Sequence, residues 1–65
     1  MKISQYEGKK VIITDIDEEV HYGKVTDYIY PEDNEPEGES IILENLEGEL
    51  LEFRPEDIKK IETVE

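Results

Sequence analysis

The sequence predicts a small all-β domain. Its apolar residues fall in short runs rich in β-branched side chains, and turn-forming residues separate these runs. No long stretch keeps the α-helical period of about 3.6 residues. A chain of 65 residues forms at most one domain, residues 1–65, and an apolar fraction of 35% limits it to a small core.

The first half of the chain contains two predicted strands. The first strand is "KVIITD" at residues 10–15, preceded by a brief turn or helix within residues 4–8. The acidic turn "DIDEE" leads to a longer strand at residues 19–30, in which Val20 and Tyr22 share one phase and Val25 and Ile29 the other. A glycine at a change of phase indicates a bulge or bend, so we expect the second strand to bend at Gly23.

The second half contains three more strands. The segments "SIILE" (40–44) and "ELLEFR" (49–54) predict a hairpin whose turn, "NLEG", gives Gly48 the freedom to take positive φ. Pro55 ends the fourth strand, and "PEDI" predicts one 3₁₀ turn before a last strand at residues 58–64. Five short strands, with the second one bent and a 3₁₀ turn before the last, are typical of an SH3-like barrel.

Two segments resemble motifs of the Sm-like (LSm) family. The run "KKVIITDIDEEVHYGKVTDY" is similar to the first motif, and "ELLEFRPEDIKKIE" resembles a diverged second motif. The likeness extends to small LSm-type proteins of Gram-positive bacteria. It implies an Sm-like barrel, rings formed by edge-strand pairing, and RNA contacts at Asp27 and Arg54. The sequence departs from the family at Pro31 and Pro55, which stand where RNA-binding members have Asn and Gly.

The charge balance limits the classes of partner. Nineteen acidic residues against seven basic ones give a net charge of −12, which disfavours nucleic acids and anionic membranes. Basic proteins, basic peptides and cations are the favoured partners, and RNA binding is therefore an alternative function. With no cysteine, no apolar leader and no long apolar stretch, we expect a cytoplasmic protein that does not enter a membrane.

A tyrosine pair followed by an acidic loop is the predicted partner-binding surface. Tyr28 and Tyr30 share one strand phase, and "PEDNEPEGES" follows directly. An aromatic face beside carboxylates suits a Lys or Arg side chain. The alternative is that both tyrosines only pack, half-buried, within the sheet. The predicted surface consists of Tyr28, Tyr30, Glu32, Asp33, Glu35, Glu37 and Glu39.

The same loop also has a calcium-like spacing. From Asp33 the chain reads "DNEPEGESIILE", which matches the EF-hand pattern loosely and nominates Asp33, Glu35, Glu37 and Glu44 as oxygen ligands. Glutamates at tight positions and the lack of flanking helices favour a solvated loop instead. Divalent-metal binding there is a second alternative function.

Catalysis is not expected, and no cofactor is predicted. His21 is the only histidine, no thiol exists, and the strand phase predicts that His21 faces solvent. The sequence therefore predicts a non-enzymatic interaction module.

Self-association is the other expected mode of binding. Ile12, Ile42 and Leu50 occupy the strand phase opposite their apolar neighbours, so they predict a second apolar surface and a homo-oligomer. The alternative is that strand curvature and the N-terminal segment cover them.

Overall fold

A computed structural model describes residues 2–64 as one antiparallel five-stranded sheet. The strands are β1 (Lys10–Asp15), β2 (Val20–Ile29), β3 (Ser40–Asn45), β4 (Leu50–Phe53) and β5 (Ile58–Thr63). Three 3₁₀ segments, Ile3–Tyr6, Pro31–Asp33 and Pro55–Asp57, complete the secondary structure, and none of the described residues is α-helical. The all-β prediction is confirmed, as is the 3₁₀ turn before the last strand. None of the helical segments in residues 2–64 has the length and hydropathy that crossing a bilayer requires.

The sheet is curled but is not closed. Its strand order is β4-β3-β2-β1-β5, which leaves β4 and β5 as the two edges. Within residues 2–64, no backbone ladder joins these edges, so the predicted barrel closure is absent from the structure. The rings of His21 and Phe53 nevertheless meet edge to face, with centroids 5.1 Å apart. Because β3 separates their strands in the sheet, this contact requires a strong curl.

The core lies on the concave face. Pairing of Val25 with Leu43, and of Ile41 with Phe53, lines up inward-facing side chains across neighbouring strands. Ile3, from the first 3₁₀ segment, is fully buried and adds an N-terminal plug to this face. Burying these side chains is the main source of stability for a chain of this size. The core consists of Ile3, Val11, Ile13, Val25, Ile41, Leu43, Phe53 and Ile58.

The bend of β2 lies at Thr26 and not at Gly23. The pairing of β2 with β3 shifts register between Val25 and Asp27, which marks an irregularity at Thr26. Gly23 serves another purpose, because a Cβ built on it would lie 2.2 Å from the backbone oxygen of Glu44. The glycine therefore permits the close approach of β3, and the prediction of a bend at this residue is wrong by three positions.

Two hairpin turns are built in the same way. In the second, the side-chain oxygen Oδ1 of Asn45 accepts hydrogen bonds from the backbone of Glu47 (3.0 Å) and Glu49 (2.8 Å). In the first, Asp15 Oδ1 accepts from the backbone of Asp17 and Glu19, both at 2.9 Å. The residue before the last in each turn has positive φ: Gly48 at 84°, as predicted, and Glu18 at 68°.

The three residues predicted to form an outward apolar surface differ in exposure and position. Leu50 is exposed, whereas Ile12 and Ile42 are half-buried on their own strands. A polar row crosses the sheet from β1 to β3, formed by Lys10, Lys24 and Glu44 on neighbouring strands, and it ends at Leu50 on β4. This row runs between Ile12 and Ile42. The polar row separates Ile12 from Ile42, while Leu50 lies diagonally from Ile42 on the neighbouring strand. An oligomer that uses these residues stays a prediction.

Candidate functional site

The predicted tyrosine pair forms at the end of β2. The rings of Tyr28 and Tyr30 meet edge to face, with centroids 4.9 Å apart and planes at 83°. Tyr28 is half-buried and packs against the core, while Tyr30 is 56% exposed. An edge-to-face contact holds one ring in a fixed orientation against the other. The Tyr30 ring is therefore exposed to solvent on one side and supported on the other by Tyr28, which packs against the core.

A carboxylate of the acidic loop (residues 31–39) joins this pair. The Tyr28 hydroxyl donates to Glu39 Oε1 over 2.6 Å. This hydrogen bond, with a smaller contribution from desolvation, raises the pKa of Tyr28 to about 12, because the neutral phenol is the donor. Glu39 is thus tied to the aromatic pair and held at the base of the surface.

The acidic loop is anchored at its two ends. Pro31–Asp33 forms a 3₁₀ turn that follows Tyr30 directly. Further along, Asn34 Nδ2 donates to the Gly38 backbone oxygen over 2.8 Å, and the buried Ser40 hydroxyl donates to Glu52 over 2.8 Å. These contacts fix the path of the loop against β4. The loop carboxylates nevertheless form no ion pair among residues 2–64.

The remaining loop carboxylates do not gather around one point. Asp33 lies in the 3₁₀ turn, and Glu44 lies on β3 opposite Lys24 and Leu50. Within the described part of the chain, the ligand atoms of Asp33, Glu35, Glu37 and Glu44 do not form a converging group of three. The calcium-like spacing in the sequence is therefore not matched by convergence in space.

The two residues at family RNA-contact positions lie apart in the sheet. Asp27 is exposed on β2, and Arg54 follows β4, with β3 between the two strands. Arg54 Nε lies 3.5 Å from Asp57 Oδ2 and 3.8 Å from Glu56 Oε2. These carboxylates already neutralise the guanidinium, which leaves it poorly placed to attract a phosphate.

Sequence analysis missed a cluster of one histidine and two carboxylates at the first hairpin. Nε2 of His21 and Oδ2 of Asp15 are 2.8 Å apart, and the ligand atoms of Asp15, Glu19 and His21 all lie within 4.8 Å of one another. The hydrogen bond with His21 lowers the pKa of the Asp15 carboxyl below its usual 3.8, and backbone donors add to the effect. His21 is 22% exposed and faces inward, so the prediction that it faces solvent is wrong. His21 and Val25 lie four residues apart on β2, and side chains an even number of positions apart share a face of the strand. This spacing was the sequence signal for the concave face.

Fold and surface together define a small, strongly acidic β-protein whose residues 2–64 carry an aromatic–acidic surface and a histidine–carboxylate cluster. Comparison with known proteins found no match, whether to a protein family, to a curated protein or to a solved structure. Membership of the Sm-like family stays a prediction that rests on the two sequence segments.

Proposed function

We propose that this chain is a non-enzymatic interaction module that binds a basic protein or peptide through its tyrosine–acidic surface. One observation carries the proposal. The exposed Tyr30 ring, held by Tyr28, lies directly before five loop carboxylates that have no cationic partner among residues 2–64. A surface with an aromatic face and unneutralised carboxylates complements a Lys or Arg side chain.

The two parts of the surface contribute differently. A cation over an exposed tyrosine ring gains about 0.5–1 kcal/mol, which fixes the position of the bound side chain. The loop carboxylates act over a longer range, so they mainly raise the rate of encounter and favour basic partners over acidic ones. The net charge of −12 acts in the same direction.

A Lys- and Arg-containing peptide of fixed length is the probe, with affinity measured by calorimetry at two salt concentrations. Tyr30→Ala should weaken binding about twofold to fivefold, the factor that corresponds to one exposed cation–π contact. Tyr22→Ala is the matched control, because Tyr22 is also an exposed tyrosine, at 45%, but lies within β2 and pairs with Ile12 on another part of the sheet. Equal weakening by both variants would contradict a defined aromatic site.

A second pair of variants separates the loop from the overall charge. The double change Glu35→Gln and Glu37→Gln should weaken binding more than Glu7→Gln with Glu47→Gln, although each removes the same charge. Glu7 and Glu47 are exposed and lie outside the acidic loop. If both double variants lose the same affinity, the attraction belongs to the whole molecule and not to the loop.

Self-association is supported by a different feature. Both edge strands, β4 and β5, leave backbone groups without a ladder partner on one side, and such edges pair readily with another strand. Light scattering over a range of concentrations tests for a homo-oligomer, and a constant mass of 7.6 kDa would exclude it.

RNA binding is the alternative that the family resemblance suggests. The ion pairs of Arg54 and the acidic charge argue against it. Micromolar binding of a short oligonucleotide that is lost in Arg54→Ala would establish it.

A cytoplasmic location is in keeping with the absence of cysteine, since reducing compartments do not favour disulfides.

A further inference from the structure

We propose that Asp15, Glu19 and His21 form a binding site for a divalent first-row transition-metal ion at the first hairpin. The acidic loop and the interaction with basic partners have no part in this site, so the two proposals stand or fall separately.

The strand pairing brings the three side chains together. The backbone N–H of Asp15 donates to the backbone carbonyl oxygen of Glu19 over 2.9 Å. This hydrogen bond places the two residues opposite each other at the end of the hairpin. His21 is two residues further along β2 and pairs with Ile13, so it lies diagonally across from Asp15. Since side chains alternate along strands, all three project to the same, concave face. The convergence therefore follows from the register of β1 and β2.

The spacing of the atoms is close to that around a shared ion. Zinc binds imidazole nitrogen and carboxylate oxygen at about 2.0–2.2 Å in a tetrahedral arrangement, which sets two ligand atoms about 3.4 Å apart. Nε2 of His21 and Oδ2 of Asp15 lie 2.8 Å apart, so their contact opens by roughly half an ångström when the ion enters. The ion replaces the hydrogen bond between the two atoms: Nε2 binds through its lone pair, and the hydrogen of the metal-bound imidazole then lies on Nδ1.

The two best-placed ligands are already held in position. Asp15 Oδ1 accepts two backbone hydrogen bonds in the turn, which leaves Oδ2 directed at His21. The imidazole packs edge to face against Phe53, 5.1 Å between centroids. Ligands that are oriented by their surroundings bind an ion with less loss of side-chain freedom. Glu19 is exposed and its side chain makes no hydrogen bond within residues 2–64, so it is free to turn toward the ion.

The donor set selects the class of ion. One imidazole nitrogen and two carboxylates suit Zn²⁺, Mn²⁺, Co²⁺ or Ni²⁺, whereas Ca²⁺ and Mg²⁺ prefer oxygen ligands alone. The two carboxylates balance the charge of a divalent cation. A cleft of about 220 Å³ opens beside Asp15 and carries further negative charge; its lining residues are Asp15, Ile16, Asp17, Glu52, Phe53 and Asp57. Water would fill the remaining coordination positions.

Titration of the folded chain with ZnCl₂ tests the site, with circular dichroism as the check on folding. We expect one saturable Zn²⁺ site of micromolar affinity and at least tenfold weaker binding in His21→Gln. Glu19→Gln should also weaken binding severalfold, and this variant leaves the contacts of the turn and of Phe53 untouched. The charge-matched control is Glu37→Gln, in the acidic loop, which should leave the affinity unchanged.

Mn²⁺ supplies an independent readout, because it broadens the NMR signals of nearby amides. Broadening should centre on residues 15–21 and should be reduced in Glu19→Gln. Zn²⁺ affinity that is unaffected in both His21→Gln and Glu19→Gln would overturn the proposal. Broadening that centres on residues 31–39 would also overturn it and would assign the metal to the acidic loop.

Discussion

Replacing Glu18 by glycine should give a more stable protein than replacing it by alanine. Glu18 has a φ of 68°, a left-handed conformation in which the Cβ of an ordinary residue is strained by about 1–2 kcal/mol. Gly48 occupies the same position in the second hairpin, with a φ of 84°. The two turns share their hydrogen bonds, so the second hairpin shows that glycine is compatible with this geometry.

The proper reference for this change is Glu18→Ala. Glu18 pairs with Lys59, and both Ala and Gly remove that exposed ion pair, which contributes about 0–1 kcal/mol. Ala keeps the backbone strain, whereas Gly relieves it. Glycine also gives the unfolded chain more freedom, which offsets about 0.4–1 kcal/mol of the gain. The net advantage of Gly over Ala is therefore about 0.5–1 kcal/mol, or about 4–7 °C in Tm for a domain of this size.

Denaturant and thermal unfolding of the two variants measure this difference. The reciprocal change, Gly48→Ala, should cost about 1 kcal/mol. A Cβ added there meets no atom within 4 Å, so the loss reports backbone strain and not a clash. If Glu18→Gly is no more stable than Glu18→Ala, or if Gly48→Ala costs nothing, the reasoning about positive φ in these turns is refuted.

Three more outcomes are expected. Gly23→Ala should lower the free energy of unfolding by about 3 kcal/mol or more, since its Cβ meets the backbone of Glu44 at 2.2 Å; a native circular dichroism melt would contradict this. The hydrogen bond to Glu39 raises the pKa of Tyr28 in the folded protein to about 12, above its ordinary value of 10.0. The stability that this bond contributes is therefore fully present below pH 10.0 and is lost as the pH rises through about 12. Tyr28→Phe should therefore show a smaller alkaline loss of stability than the wild type, and identical profiles would exclude the effect. Added NaCl should raise the Tm, because about 0.15 M salt limits repulsion between carboxylates to about 8 Å; the rise should be smaller when Glu35 and Glu37 are both changed to Gln.

The sequence predicted the features that depend on local chemistry. Gly48 marks a turn because of its own conformational freedom, and Pro55 ends β4 because it lacks an N–H. Tyr28 and Tyr30 form a pair, as their shared phase predicted. The phase also predicted that the pair lies on the face opposite Val25, which is wrong for Tyr28: the register shift at Thr26 sets it opposite Ile41 and against the core. The turn and the end of β4 need no information from distant parts of the chain, whereas the face of Tyr28 depends on how β3 pairs with β2.

The features that sequence analysis missed depend on pairing between strands. The irregularity at Thr26 has no composition signal, because it depends on how β3 aligns with β2. His21 was assigned to the wrong face because Val20 and Tyr22 are the more apolar neighbours, yet both are exposed. The cluster with Asp15 and Glu19 then went unnoticed, since it exists only once the hairpin register is known. Barrel closure likewise depends on contacts between β4 and β5, the strands farthest apart in the sheet.

The open edges of the sheet have a consequence for solubility. Strands β4 and β5 each present a row of backbone donors and acceptors to which a neighbouring molecule can add a strand. At neutral pH the net charge of −12 opposes indiscriminate association of molecules through these edges. That protection disappears near the isoelectric point of about 4.3, while the edges stay available. We therefore expect mild acid to favour precipitation through intermolecular β-pairing at these two edges.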